Sequence, residues 1–434
     1  MKFYSTNNPD LKVDLRQAVS QGLAPDNGLY MPAQIPLLPK EFFQTIHQKS
    51  IQEIAITVAH NLIGDDIPQA ELKRIVDHAI QFDVPVVNIE PDIYALELFH
   101  GPTLAFKDFG ARFMSQLLGY FARQQDQEIV ILVATSGDTG SAVANGFLGV
   151  PGTRVVVLYP SGKVSEIQEK QFTTLGQNIT ALEVSGTFDD CQRLVKQAFL
   201  NEPLRKKLFL TSANSINIAR LFPQSFYYFY AYAQLKSHHK PLVFSIPSGN
   251  FGNITAGLLA KRMGLPIHKF IAATNINDVV PEYLQTGSFN PRLSRQTISN
   301  AMDVGNPSNF VRMLDLFAGD FDALSKEISG YAFTDEETSM AMRHVYSKDK
   351  YVLDPHGAIG YLGLKKYLEE TYENVTGIFL ETAHPAKFKE VVERTLNRSI
   401  EIPPALKKFL QQEKKTVKTT TDFNAFRDFL LNEF

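Results

Sequence analysis

Lys107 lies in Phe99-His100-Gly101-Pro102-Thr103-Leu104-Ala105-Phe106-Lys107-Asp108-Phe109-Gly110-Ala111-Arg112-Phe113, with Leu104, Phe106, Phe109, Phe113 and Met114 around it. Burial among such side chains desolvates an ammonium and lowers its pKa towards the neutral amine that attacks a carbonyl carbon. In sequence terms alone the same residue also reads as a helix lysine that lays its stem on apolar neighbours and keeps its charge in water.

Two glycine-bearing loops add anion chemistry. Pro247-Ser248-Gly249-Asn250-Phe251-Gly252-Asn253 lies between the apolar run Leu242 to Ile246 and the helix-like stretch Ile254 to Ala260. Glycines let several backbone N–H groups converge, and a helix N-terminus adds partial positive charge, so the loop suits a phosphate. It contains no lysine, and neither the Gly-Lys-Ser/Thr ending of a nucleotide P-loop nor the three-glycine dinucleotide fingerprint occurs in the chain. A plain strand-to-helix turn fits the loop as well. Thr135-Ser136-Gly137-Asp138-Thr139-Gly140 follows Ile129 to Val133. Its amides and hydroxyls suit a carboxylate or phosphate, and N-capping by Ser136 or Asp138 explains it equally well.

A further loop, Glu381-Thr382-Ala383-His384-Pro385-Ala386-Lys387, follows Gly377 to Leu380. His384 and His356 in Asp354-Pro355-His356-Gly357 lack metal-ligand spacing to another candidate, so both read as loop structure and no metal is expected. Ser161 and Lys163 in Pro160-Ser161-Gly162-Lys163, with Asn214 and Arg220 in Asn214-Ser215-Ile216-Asn217-Ile218-Ala219-Arg220, follow strand-like stretches and could meet a second anion.

These loops need strands to position them. Short apolar runs alternate with helical stretches from about residue 84: Ile129 to Val133, Val155 to Leu158, Ile179 to Val184, Leu242 to Ile246, Phe270 to Ala273 and Gly377 to Leu380. That rhythm predicts parallel strands with helical crossovers, an α/β fold whose ligands sit at the carboxyl ends of strands. Residues 1–90 predict a mainly helical N-terminal unit, with an amphipathic pattern through Ile51, Ile54, Ala55, Val58, Ala59 and Leu62 and a break at Gly22 to Pro39. The charged stretch Lys407 to Lys418 reads as a solvated helix and linker, and Phe423 to Phe434 as a docked amphipathic helix.

The composition narrows the partners. At 434 residues the chain exceeds what one hydrophobic core usually serves. A formal charge of −3, with acids and bases interspersed, gives no field to gather nucleic acid or an anionic membrane. The single cysteine, Cys191, suits a reducing compartment, and with no signal-like or spanning apolar segment the reading is cytoplasmic.

Ala-Phe-Lys-Asp, Ser-Gly-Asp-Thr-Gly, Ser-Gly-Asn-Phe-Gly-Asn and a strand-end threonine together resemble the tryptophan synthase β group, the fold type II pyridoxal phosphate enzymes. Within that group the chain resembles the threonine synthase family in its longer form. Gly22-Leu23-Ala24-Pro25-Asp26-Asn27-Gly28-Leu29-Tyr30-Met31-Pro32 and Ser299-Asn300-Ala301-Met302-Asp303-Val304-Gly305-Asn306-Pro307-Ser308-Asn309-Phe310 carry the narrower likeness. The resemblance runs from about residue 4 to 390 and leaves the last forty or so residues without a motif.

The resemblance implies two open α/β lobes around pyridoxal 5'-phosphate within residues 91–434. The smaller, mobile lobe is expected at about 128–235 and a C-terminal helical tail from about 400. Lys107 becomes the Schiff-base lysine and proton carrier; Ser248, Gly249, Asn250, Phe251, Gly252 and Asn253 become the phosphate site; Thr382 meets the pyridine nitrogen. The implied substrate is O-phospho-L-homoserine, converted with water to L-threonine and phosphate. Thr135, Ser136, Gly137, Asp138 and Thr139 would bind it with Ser161, Lys163, Asn214 and Arg220. Many relatives of this fold type carry Asn where this chain has Asp138; the Asp form goes with the longer subgroup. A serine or threonine dehydratase, or a non-catalytic binding protein on the same fold, is the competing expectation. The protein is expected as a monomer or homodimer.

Overall fold

The computed structural model describes residues 1–125 and 127–434. Apolar runs that the sequence marks as strands form two sheets. The larger has six strands in the order Ile328–Ala332, Ile267–Thr274, Leu242–Pro247, Thr376–Glu381, Ile93–Glu97 and Val86–Glu90. All neighbours are parallel except the last pair. The smaller sheet is parallel throughout, in the order Val417–Thr419, Ile179–Val184, Thr153–Pro160, Ile129–Ala134 and Phe209–Ser212. Every residue of Ile129–Ala134, Leu242–Pro247 and Thr376–Glu381 is buried, as expected of parallel strands covered on both faces.

Helices Lys107–Ala122 and Ile218–Leu235 pack against each other. Gly110 permits the approach: a Cβ there would stand 2.7 Å from the Arg220 Nε and 2.9 Å from the Arg220 carbonyl oxygen. Glycine is required because the neighbour is backbone as well as side chain.

The N-terminal unit is mainly helical, as expected, and adds a small sheet to its helices. Phe3–Ser5, Asn8–Val13 and Tyr30–Pro32 form a three-stranded antiparallel sheet, the third strand falling inside the Gly22 to Pro39 break. The helix Ile51–Ile63 does form, opened by a Ser50–Glu53 capping box, with all six expected apolar positions buried. The unit also gives way earlier than residue 90, because Val86–Glu90 pairs with Ile93–Glu97 in the large sheet. Its apolar residues share one core with both lobes.

The C-terminal stretch is likewise more than a helical tail. Val417–Thr419 adds a parallel edge strand to Ile179–Val184, and Lys414 is held at 2.6 Å by Glu169 and at 2.9 Å by Glu183. Helix Phe423–Glu433 docks as expected, burying Phe426 and Leu430 beside Cys191. Among the described residues no helix is long and apolar enough to cross a membrane.

Candidate active site

Lys107 opens its helix at the junction of two chain segments. Phe106 N–H donates to the Thr382 carbonyl at 2.8 Å and His384 N–H to the Leu104 carbonyl at 3.0 Å, with a bridge between Ala105 and Ala383. The lysine is therefore tied to the strand-end loop that carries Thr382, itself buried. Only 16% of the Lys107 side chain is exposed. Desolvation pushes its amine pKa below the ordinary lysine value; Asp138 opposes this, while Lys387 and Arg220 add to it.

The Asp138 carboxylate lies between two ammonium groups. Its Oδ2 is 3.5 Å from Lys107 Nζ and its Oδ1 is 2.7 Å from Lys387 Nζ; the Gln168 amide donates to it at 2.8 Å. Burial alone would raise its pKa, but Lys387 and then Lys107 overcome that and hold it well below the usual carboxylate range. An ionised carboxylate so placed repels a substrate carboxylate, which sets Asp138 apart from Thr135, Ser136, Gly137 and Thr139. Lys387 also donates to the Thr103 carbonyl at 2.8 Å, and its side chain is wholly buried. Sequence reading passed over it as loop, and the one available signal was a lysine between Ala386 and Phe388.

In the neighbouring turn, Thr135 Oγ accepts from the amides of Gly137 and Gly140 at 2.9 and 2.8 Å. Among the described side-chain bonds none uses the hydroxyls of Ser136 or Thr139, both half-buried.

The glycine loop joins strand Leu242–Pro247 to helix Gly252–Arg262, with Phe251 in the left-handed region at φ 60°. Its polar side chains brace it. Ser248 Oγ donates to Asn253 Oδ1 at 3.1 Å, and Asn253 Nδ2 to the Pro247 carbonyl at 2.9 Å. Asn250 donates to the Ser215 hydroxyl and accepts from Ser308 N–H and Oγ at 2.6 and 2.9 Å. The amides of residues 249 to 253 donate none of the loop or cap hydrogen bonds among the described residues. A Cβ on Gly249 would meet the Met302 Cα at 2.7 Å, whereas one on Gly252 finds its nearest atoms at 3.4 Å, Asn309 Nδ2, and 3.8 Å. That Asn309 nitrogen is buried without a partner. Free amides at a helix start, room beside Gly252 and an unpartnered donor fit a phosphate group.

Of the second-anion candidates, two are gathered here and two are not. Asn214 Nδ2 donates to the Ala134 carbonyl at 3.0 Å, next to Thr135. Arg220 is buried near enough to Lys107 to depress its pKa, and its Nε has no partner. Ser161 donates to Glu183 at 2.7 Å, and Lys163 stands exposed in its turn.

Comparison with known proteins assigns the chain. The family described as pyridoxal-phosphate dependent enzyme matches residues 84–379, and the threonine synthase N terminus matches residues 2–80. The threonine synthase of Escherichia coli (strain K12) is 46% identical over the whole of both chains. This chain belongs to the threonine synthase family. A threonine synthase C-terminal region matches residues 357–430, so the stretch beyond residue 390 carries family sequence after all. The crystal structure of pyridoxal phosphate-bound threonine synthase from Brucella melitensis superimposes with a TM-score of 0.93 at 35% identity, covering all of this chain and 99% of that one. A threonine deaminase from Solanum lycopersicum, at 16% identity and a TM-score of 0.57 over 84% of this chain, shares the fold alone.

Against the family frame, Glu381 is a second residue that sequence reading did not single out. It directly precedes Thr382, is fully buried, and neither carboxyl oxygen has a hydrogen-bond donor. Desolvation, with the Asp354 carboxylate beside it, pushes its pKa well above the ordinary value and favours the protonated acid. The Asp354 carboxylate in turn accepts a hydrogen bond from His356 Nδ1 at 2.6 Å, and His356 Nε2 accepts from Ala301 N–H at 3.2 Å. The histidine thus links helix Pro355–Thr371 to the segment against which Gly249 packs.

Proposed function

We infer that this protein is a threonine synthase, converting O-phospho-L-homoserine and water to L-threonine and phosphate with pyridoxal 5'-phosphate. One observation carries the reading: a desolvated Lys107 amine, paired with Asp138, in a chain whose family likeness spans its whole length.

When bound, the cofactor supplies an electron sink for the pair left on the substrate's α carbon. Lys107 would link to it and, once displaced by the substrate amine, take the α proton, because desolvation lowers its pKa towards the neutral, basic amine. Asp138, held from its far side by Lys387, fixes the direction of that amine. The amides of Gly249, Asn250, Phe251, Gly252 and Asn253, with Ser248 at the edge, take the cofactor phosphate. Thr382 offers the pyridine nitrogen a hydroxyl, which does not force that nitrogen to be protonated. Thr135, Ser136, Gly137 and Thr139 receive the substrate carboxylate. Asn214 and Arg220 receive the γ phosphate, where a buried guanidinium stabilises the charge that grows on the leaving group.

The test is a coupled product assay. Phosphate released from O-phospho-L-homoserine should match L-threonine formed mole for mole, and L-serine should be a poor substrate; preference for L-serine overturns the reading. We assign the enzyme to the cytoplasm as a monomer or homodimer without nucleic-acid or membrane partners, which sedimentation of the purified protein would check.

A further inference from the structure

The glycine loop has no cationic side chain, yet a cation lies directly behind it. Arg312, on helix Phe310–Leu316, is 0% exposed. Among the described residues it makes no ion pair; Asp315, the acid that acts on it, receives the Tyr4 hydroxyl instead. Burial brings the guanidinium pKa down to about 9, so it keeps its charge at neutral pH. All its hydrogen bonds go to neutral oxygens. Nε and Nη2 donate to the Tyr30 carbonyl at 3.3 and 3.0 Å, Nη2 to the Ile216 carbonyl at 2.8 Å, and Nη1 to the Ser215 carbonyl at 3.2 Å and Asn309 Oδ1 at 2.7 Å. A buried charge with only neutral partners is costly unless an anion comes near it.

The Asn309 amide stands between this cation and the cradle. Because Oδ1 is held by Arg312, Nδ2 faces the other way, and this is the unpartnered buried donor 3.4 Å from the Cβ position of Gly252. Ser215 repeats the pattern: its carbonyl holds Arg312, and its hydroxyl receives Asn250 of the loop.

We propose that Asn309 and Arg312 form the cationic backing of the cofactor-phosphate site: Asn309 Nδ2 donates to the phosphate, and Arg312, one residue deeper, orients that amide and supplies the positive charge the loop lacks. Arg312 is a positioning residue that does not touch the ligand. Through the Tyr30 carbonyl the N-terminal unit also becomes a structural part of the phosphate site. The inference rests on the pyridoxal phosphate reading given above.

The alternative is that Arg312 only clamps Tyr30, Ser215 and Ile216 together, and ligand phosphorylation separates the two. Purified full-length protein, freed of cofactor, is titrated with pyridoxal 5'-phosphate and with pyridoxal, which lacks the phosphate. Two variants are compared with wild type. Asn309→Asp keeps the side-chain shape and lets Arg312 form an ion pair, but removes the donor and neutralises the charge. Arg312→Met removes the charge itself. Both should weaken pyridoxal 5'-phosphate on the order of tenfold or more, the scale of a lost charge-assisted contact, and leave pyridoxal binding unchanged. Asn309→Asp should also melt no lower than wild type in the cofactor-free state. Equal weakening of both ligands, or no weakening of either, overturns the proposal. If Arg312→Met fails to fold, Asn309→Asp decides alone. Failure of wild type to bind pyridoxal 5'-phosphate would instead defeat the cofactor reading on which the proposal rests.

Discussion

Around Lys107, three charged side chains from separate stretches of chain meet within 2.7 to 3.5 Å, one carboxylate between two lysines. Around Gly252, one continuous loop offers uncharged amides, and its own Asn and Ser side chains are spent on bracing it. The first end is governed by charge balance, so it responds to pH and to the loss of any member. The second is governed by shape, so it responds to added volume.

Removing the amine breaks the charged end most completely. Lys107→Ala should abolish turnover in the phosphate-release assay while the thermal midpoint shows a folded protein; normal threonine formation would dissociate the cluster from the chemistry. At the other end, Gly252→Val should strip cofactor from a protein that remains folded, since the protein itself leaves 3.4 Å at that Cβ. Gly249→Val, three residues earlier, should instead lower the melting temperature, because its Cβ meets Met302 backbone at 2.7 Å and overpacking of this kind costs about 1–3 kcal/mol. Identical behaviour of the two glycine variants would erase the distinction between cradle and scaffold.

Lys387→Met sharpens the comparison through pH. Lys107 faces Asp138, Lys387 and Arg220; loss of Lys387 leaves the attraction of Asp138 less opposed. The Lys107 ammonium, once freed by the substrate amine, then persists to higher pH, and the acid limb of the kcat profile should move in the alkaline direction. Each unit of movement lowers activity below the limb about tenfold. An unmoved profile would reduce Lys387 to a packing residue.

The substrate anion site divides the same way. Arg220→Ala should reduce phosphohomoserine turnover on the order of tenfold or more, and Lys163→Ala far less, because the first is buried beside Lys107 and the second is exposed. Equal losses would bring Lys163 back into the site. The smallest effect belongs to Glu381. Its folded pKa is raised, so the stability tied to its protonated form is full below the unfolded value near 4.5 and is lost as pH climbs towards the folded pKa. Melting curves of Glu381→Gln should lack that decline, and parallel pH profiles for variant and wild type would refute a buried neutral acid.

Features set by local sequence were legible, and features set by distant pairing were not. The strand Ile129–Ala134 announced itself as an unbroken apolar run, and the glycine loop as a strand-to-helix junction. Val86–Glu90 and Ile93–Glu97 carry Asn88, Glu90, Tyr94 and Glu97 near the sheet edge, which blurs the apolar signal. Val417–Thr419 is three residues with a lysine at its centre and becomes a strand only because Ile179–Val184 presents an open edge. Asn8–Val13 is mostly exposed, so no buried face marks it as a strand. In the site, Lys107 was visible through its apolar neighbours. Lys387 gained its meaning from Asp138, far away in sequence, and Arg312 from carbonyls of Tyr30, Ser215 and Ile216, which no side-chain pattern encodes.

The strand Val417–Thr419 also orders events during synthesis. The smaller lobe's other four strands leave the ribosome long before it, with a parallel edge unpaired at Ile179–Val184 and an apolar patch around Cys191 awaiting Phe426 and Leu430. Until that downstream segment arrives, the nascent lobe displays the kind of sticky edge that other chains and chaperones recognise. A message cut short within this stretch therefore yields a product that carries Lys107 and the whole glycine loop, yet is marked for aggregation or disposal by one unprotected sheet edge.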